Sequence, residues 1–107
     1  MMDKNLLIMN LKNMMIGLCP DEKFNGISLY LFGSSIKAIS SFKDIDIILI
    51  YNKKYNNINS IINLRKNMIE YWRKECDIVL DIILLDTCEE REVKFIKKTK
   101  AEIIYSK

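Results

Sequence analysis

Two aspartates open the most apolar stretch of this 107-residue chain. Asp44 and Asp46 flank Ile45 at the start of Asp44–Tyr51, an isoleucine-rich run without helical period that is typical of a strand. Because alternate residues of a strand share a face, both carboxylates point the same way, with Cβ atoms about 7 Å apart. Two desolvated carboxylates repel each other unless a cation compensates them. Mg²⁺ prefers a few carboxylates together with phosphate oxygens and water, so the pair predicts a magnesium site for phosphoryl chemistry.

A third carboxylate is expected on the next apolar run, residues 77–85. Asp77 and Asp81 lie four residues apart there and share one face. Pairing of this run with Asp44–Tyr51 would bring either of them beside the first two aspartates. We favour Asp81 over Asp77, because a carboxylate deep in an apolar strand is harder to explain structurally than one at the strand's edge.

Gly33, Ser34 and Ser35 follow a short apolar run, Ile27–Phe32, that reads as a buried strand. Glycine at such a position lets the backbone turn and approach a ligand closely. If a helix begins at Ser34 or Ser35, its free amides and the two hydroxyls form an anion site suited to nucleotide phosphates. Taken alone, Gly-Ser-Ser after a strand is more often a turn and a helix cap.

Helices and strands alternate along the chain. Apolar spacings of three and four predict helices over residues 3–18 and 58–74, the second capped by Asn57 or Asn59. A capping box of Thr87 and Glu90 predicts a further helix near residue 87.

These helices, together with a segment over residues 34–42 that is long enough for a turn plus one or two helical turns, separate four predicted strands, whose order predicts the fold class. The strands are Ile27–Phe32, Asp44–Tyr51, 77–85 and 101–105. Ile, Val and Leu between the carboxylates of the third favour a central position with both faces covered. The order predicts a small α/β (α+β) domain, a mixed four-stranded sheet with helices packed on it. We expect one domain over residues 1–107, with an N-terminal helix in 1–20 and a catalytic core in 26–105.

Composition limits the chemistry that is open to the chain. It has no histidine, which excludes Ser-His-Asp triads, imidazole proton shuttles and His-ligated zinc. A formal charge of +3 is too small to indicate a nucleic-acid or membrane partner. Cys19, Cys76 and Cys88 are far apart and odd in number, which favours reduced thiols in a cytoplasmic protein. We expect neither a signal peptide nor a membrane span.

Gly33-Ser34, followed about a dozen residues later by Asp44-Ile45-Asp46 and then by a strand with Asp81, resembles the DNA polymerase beta-like nucleotidyltransferase superfamily. The resemblance spans residues 26–105, and the small size is similar to that of the minimal nucleotidyltransferases. The sequence departs from the family pattern at Lys43 and over residues 36–38, and it keeps all three carboxylates.

The resemblance implies a transfer of NMP, with ATP as the favoured donor, to a hydroxyl acceptor with release of pyrophosphate. It implies that Gly33 and Ser34 hold the β- and γ-phosphates, and we include Ser35 and Lys43 among the nucleotide-binding residues. It implies that two Mg²⁺ ions are bound by the three catalytic carboxylates, which are Asp44, Asp46 and Asp81. Asp81 would also help to deprotonate the acceptor. In the minimal family the acceptor can be a tyrosine of a HEPN-type toxin, and the resemblance thus implies that this chain would act as an antitoxin.

Two other classes of function remain open. A non-catalytic antitoxin would neutralise its partner sterically, through an apolar surface such as part of the N-terminal helix. Within the enzyme hypothesis, a second copy of the chain in a homo-oligomer is the alternative to a toxin partner. A nucleic-acid-binding domain ranks last, because scattered lysines with few aromatic neighbours are usually a solvated face. The lysines in question are Lys37, Lys43, Lys53 and Lys54.

Overall fold

A computed structural model of the chain describes residues 4–19, 24–32, 44–76 and 79–107, and for Lys4, Asp44 and Cys76 it describes the backbone alone. These residues form a mixed α+β fold, as predicted. The elements in chain order are α1 (Lys4–Leu18), β1 (Ile27–Phe32), β2 (Asp44–Tyr51), α2 (Ile58–Cys76), β3 (Val79–Asp86), α3 (Thr87–Val93), α4 (Phe95–Thr99) and β4 (Glu102–Ser106).

The four strands form one mixed sheet in the order β3-β2-β1-β4. Strand β1 pairs antiparallel with both β2 and β4, and β2 pairs parallel with β3. The parallel pair requires a long crossover, which α2 supplies. As a result, the C-terminal end of β1 and the N-terminal halves of β2 and β3 lie at the same end of the sheet.

One face of the sheet carries the hydrophobic core. Alternate residues of the strands, including Leu29, Ile47 and Leu49, are fully buried against α1 and α2. Both helices place residues at spacings of three and four on the sheet, and Trp72 of α2 is the largest fully buried side chain. The core-facing residues of α1 are Leu7, Leu11, Met14 and Met15, and those of α2 are Ile61, Leu64, Met68 and Trp72.

The prediction that the third strand is central was wrong, because β3 is an edge strand. Its apolar sequence reflects partial cover on both faces: Leu80 and Ile82 lie in the core, whereas Ile83 and Leu85 are half-buried on the other side. Sequence alone does not distinguish this from full burial, since both arrangements fill the strand with Ile and Leu.

The helix predicted from Thr87 is divided into two short helices. Lys94 lies between them in the left-handed conformation, with φ 52° and ψ 43°. The N-cap is Asp86 instead of Thr87, and its capping-box partner is Glu89 instead of Glu90. Asn57 caps α2, its Oδ1 accepting a hydrogen bond of 2.7 Å from the amide of Asn59. Across the described ranges, no helix is long and apolar enough to span a bilayer.

Candidate functional site

Asp46 and Asp81 are direct partners in the register of the parallel strands β2 and β3. Neighbouring strands are about 4.8 Å apart, and partnered residues direct their side chains to the same face. Ile45 and Ile47 point into the core, so Asp46 and Asp81 lie on the opposite face of the sheet. The juxtaposition of these two carboxylates that the sequence predicted is therefore present.

The two carboxylates differ in their exposure to solvent. Asp46 is half-buried and Asp81 is exposed. The expectation that Asp81 lies deep in an apolar strand was therefore wrong, because β3 forms the sheet edge and leaves this side chain in contact with water. A solvent-exposed carboxylate is accessible to a ligand.

The end of β1 approaches the same place. Phe32, the last residue of β1, is the antiparallel partner of Asp46. In the sequence, Gly33 and Ser34 come directly after Phe32. The predicted phosphate-binding segment thus continues from a strand position adjacent to the Asp46–Asp81 pair, as a shared site requires.

Several predicted site residues lie outside the described part of the chain. These are Gly33, Ser34, Ser35 and Lys43, together with Asp77, the other candidate for the third carboxylate. Asp44 occupies the first position of β2 opposite Val79, and its side chain is not described. Among the side chains that are described, no group of three His, Cys, Asp or Glu residues is placed to hold a metal ion.

Phe95 of α4 closes one side of the Asp46–Asp81 face. Its ring packs edge-on against Phe32, with 5.2 Å between ring centroids and 86° between ring planes. This contact places α4 on the face that carries both carboxylates. Beneath these elements, Ile48 of β2 is fully buried, so the second face of the sheet is covered at its centre and open at Asp81.

A second polar cluster, which the sequence analysis missed, surrounds Asp86 at the opposite end of β3. The Asp86 side chain accepts a 2.8 Å hydrogen bond from the Glu89 amide, and its backbone amide donates to Glu89 Oε1 at 3.0 Å. Lys53 Nζ lies 3.0 Å from Asp86 Oδ2. Tyr51, the register partner of Asp86, lies five positions after Asp46 on β2, which corresponds to about 16 Å along the strand.

These contacts shift the ionisation of the cluster. The hydrogen bond from the Glu89 amide, and then that from Lys53, lower the pKa of Asp86 to about 2. Burial raises the pKa of Tyr51, and the charge of Asp86 adds to this effect. The Asp86 carboxylate is thus fully engaged as a helix cap and ion-pair partner, which indicates a structural role. The sequence signal was Asp86 followed three residues later by Glu89, a capping box one residue earlier than the one predicted.

No protein-family model matches the sequence, and no curated protein is similar enough to identify as a relative.

Proposed function

We propose that the chain is a Mg²⁺-dependent nucleotidyltransferase that moves NMP from a nucleoside triphosphate, ATP being favoured, to a hydroxyl acceptor. The observation that carries the proposal is the direct pairing of Asp46 with Asp81 on the open side of the sheet. Phe32, beside Asp46, joins this pair to the Gly33-Ser34 sequence. Paired strand carboxylates next to a glycine-serine segment favour phosphate chemistry over a purely structural role.

The residues present fit a hard divalent cation. Asp46 and Asp81 supply oxygen donors from adjacent strands, and Asp44 begins the same strand as Asp46. Magnesium sites use one or two carboxylates and complete their shell with water and substrate phosphates, so an incomplete protein cage is the expected arrangement. When bound by Asp44, Asp46 and Asp81, Mg²⁺ would supply charge neutralisation for the phosphates and for the displaced pyrophosphate.

The chain's own groups position the reactants and move one proton. Gly33, Ser34, Ser35 and Lys43 would hold the donor phosphates through amides, hydroxyls and the lysine charge. Asp81, the more exposed partner of the pair, would accept the proton of the acceptor hydroxyl. The acceptor oxygen then forms a bond to the α-phosphorus while the bond from that phosphorus to pyrophosphate breaks.

For the acceptor we propose a tyrosine on a protein partner, such as a HEPN-type toxin. This proposal rests on the resemblance to the minimal nucleotidyltransferases, in which the acceptor can be such a tyrosine. If the partner is incubated with the protein and Mg-ATP, its mass should rise by one AMP. A partner that is neutralised without a mass increase contradicts this acceptor.

The donor site is tested by thermal unfolding in the presence of Mg²⁺ and each nucleoside triphosphate. A ligand that binds only the folded state, at a hundredfold excess over its dissociation constant, stabilises it by about 2.7 kcal/mol. We expect a Mg²⁺-dependent rise in Tm for the natural protein and none for Asp46→Asn. Glu75→Gln, a change of one exposed carboxylate on α2, is the matched control and should keep the rise. An equal rise in the natural protein and Asp46→Asn would contradict the site.

A second candidate function has support in the outer face of α1. Leu6, Met9 and Ile16 are exposed, the last two by 51% and 64%, and spacings of three and seven place them on one helix face. This face lies opposite the buried residues of α1 and is available to a partner protein. It favours a non-catalytic module that neutralises a partner by covering its active site.

Two variants separate the candidates. Ile16→Glu should weaken a steric complex and leave the Mg²⁺- and triphosphate-dependent rise in Tm unchanged. Asp46→Asn should abolish the Mg²⁺- and triphosphate-dependent rise in Tm and leave a steric complex intact. Neutralisation that survives Asp46→Asn and is lost with Ile16→Glu would favour the steric module over the enzyme.

A further inference from the structure

A cluster of uncompensated positive charge lies between β3 and β4. Residues 94–100, here called the basic segment, contain four exposed lysines and no acidic residue. Within the described ranges, none of these four lysines forms an ion pair. The nearest acidic residues along the chain are Glu92 and Glu102. The lysines are Lys94, Lys97, Lys98 and Lys100.

The basic segment is held firmly on the sheet. Phe95 packs on Phe32 of β1 with ring centroids 5.2 Å apart. The Glu90 carboxylate accepts hydrogen bonds from the amides of Phe95, at 3.0 Å, and Ile96, at 3.3 Å. This carboxylate is therefore engaged by the backbone of the basic segment. The lysines therefore project from a fixed support, and ordering them costs less than ordering a loose loop.

Two of the four lysines occupy an unusual backbone conformation. Lys94 and Lys100 both lie in the left-handed region, with φ 52° and 55°. Glycine or asparagine is the usual residue at such positions, because a Cβ atom is disfavoured there. Both ends of α4 therefore carry a charged lysine at a backbone position where glycine would be less strained.

Beside the basic segment, the same sheet face presents apolar surface to solvent. Ile103 of β4 is 58% exposed and is the register partner of Tyr30, which is half-buried. Tyr30 precedes Phe32 by two residues on β1 and shares its face, so Ile103 lies about 8 Å from the Phe32 position. A polyanion seated on the lysines would pass over this apolar surface.

We propose that the basic segment, together with Tyr30 and Ile103, binds single-stranded nucleic acid. The phosphates would contact the four lysines, and an unpaired base would stack on the exposed part of the Tyr30 ring with Ile103 packed beside it, because single-strand binding combines a positively charged surface with aromatic stacking. A duplex keeps its bases inside and leaves the apolar surface uncovered. A purely acidic partner would match the charge and leave Tyr30 and Ile103 uncovered. This inference goes beyond the proposed function and does not depend on it.

The test is binding of a fluorescently labelled single-stranded oligonucleotide, followed by anisotropy, to the full chain in EDTA without triphosphate. Four phosphate contacts on a single strand predict a slope of log affinity against log salt of about −2.8. Lys97→Gln/Lys98→Gln should reduce the slope by about 1.4 units and the affinity at about 50 mM salt by about tenfold or more. Lys12→Gln/Lys66→Gln, which removes two exposed charges from α1 and α2, is the matched control and should bind as the natural protein does.

A second variant tests the apolar contact. Ile103→Ser should weaken single-strand binding and leave the salt slope unchanged, with unaltered Tm as the check of folding. The proposal is overturned if the oligonucleotide does not bind at low salt, or if the control variant loses as much affinity. Equal affinity for a duplex of the same sequence, or for polyglutamate, also overturns it and assigns the lysines to another kind of partner. Because the assay contains neither Mg²⁺ nor triphosphate, its failure leaves the nucleotidyltransferase proposal separately testable.

Discussion

Removal of the Asp86 side chain should destabilise the fold by loss of a helix cap. Asp86 is only 2% exposed, and its Oδ1 accepts the Glu89 amide hydrogen at 2.8 Å. Loss of an N-cap acceptor costs about 0.5–2 kcal/mol. The ion pair with Lys53 adds little, because the lysine side chain is largely in water. For Asp86→Ala we therefore expect a free energy of unfolding lower by about 1–2 kcal/mol, and a Tm lower by about 4–8 °C.

The variant Asp86→Asn removes the negative charge of the side chain and keeps an oxygen that can cap the helix. Asparagine is as good an N-cap as aspartate, so this variant should lose much less stability than Asp86→Ala at neutral pH. The native pKa of Asp86, about 2, lies below the ordinary value of 3.8. A depressed carboxylate pKa stabilises the fold fully above the unfolded-state pKa, and this stabilisation is lost as the pH falls through the native pKa. The difference between the natural protein and Asp86→Asn should therefore shrink from about pH 4 to about pH 2.

Urea unfolding of both variants between pH 7 and pH 2, followed by circular dichroism, measures these differences. The reasoning is refuted if Asp86→Ala unfolds at the same urea concentration as the natural protein at pH 7. It is also refuted if the gap between the natural protein and Asp86→Asn widens as the pH falls.

Three further predictions concern the core, a turn and the thiols. Leu29→Ala, at a fully buried position of β1, should lower the free energy of unfolding by about 2–5 kcal/mol in urea unfolding, and a loss below 1 kcal/mol would contradict its burial. Gly26→Ala should cost about 1 kcal/mol or more by the same assay, because φ is +76° and an added Cβ would lie 3.1 Å from Asn52 Cβ; an unchanged midpoint would argue against that turn. Peptide mapping after thiol labelling of the folded protein should find Cys88 modified and Cys19 protected, because burial raises the pKa of Cys19 to about 11, and rapid labelling of Cys19 would refute this.

Sequence patterns predicted the elements where one local signal dominated. The bounds of β1 and β2 agree with the prediction, because each is rich in β-prone residues and is followed in the sequence by a turn-forming residue, Gly33 or Asn52. The position of β3 in the sheet was not predictable, because half-burial on two faces and full burial select the same residues. The apolar spacing that predicts α2 includes Ile58 and Ile62, which are nevertheless exposed because they lie at its first turn and its flank.

In the candidate site, too, local patterns predicted some features and long-range contacts determined the others. Strand periodicity and the pairing of two runs predicted that Asp77 or Asp81 would lie beside Asp46, and Asp81 is its register partner. The exposure of Asp81 depends on strand order, which no local pattern encodes. The position of the basic segment on the sheet face depends on the contact of Phe95 with Phe32, which joins segments far apart in the chain and is not encoded in any local pattern.

The central claim is that Asp46 and Asp81 together bind a divalent cation. Calorimetric titration of Mg²⁺ into the natural protein, Asp46→Asn, Asp81→Asn and the double variant tests it directly, with Glu75→Gln as the control. The account predicts that either single substitution abolishes most of the binding and that the second adds little, because the two carboxylates act on one ion. Binding that is unchanged in both single variants, or absent from the natural protein even with ATP present, would contradict it.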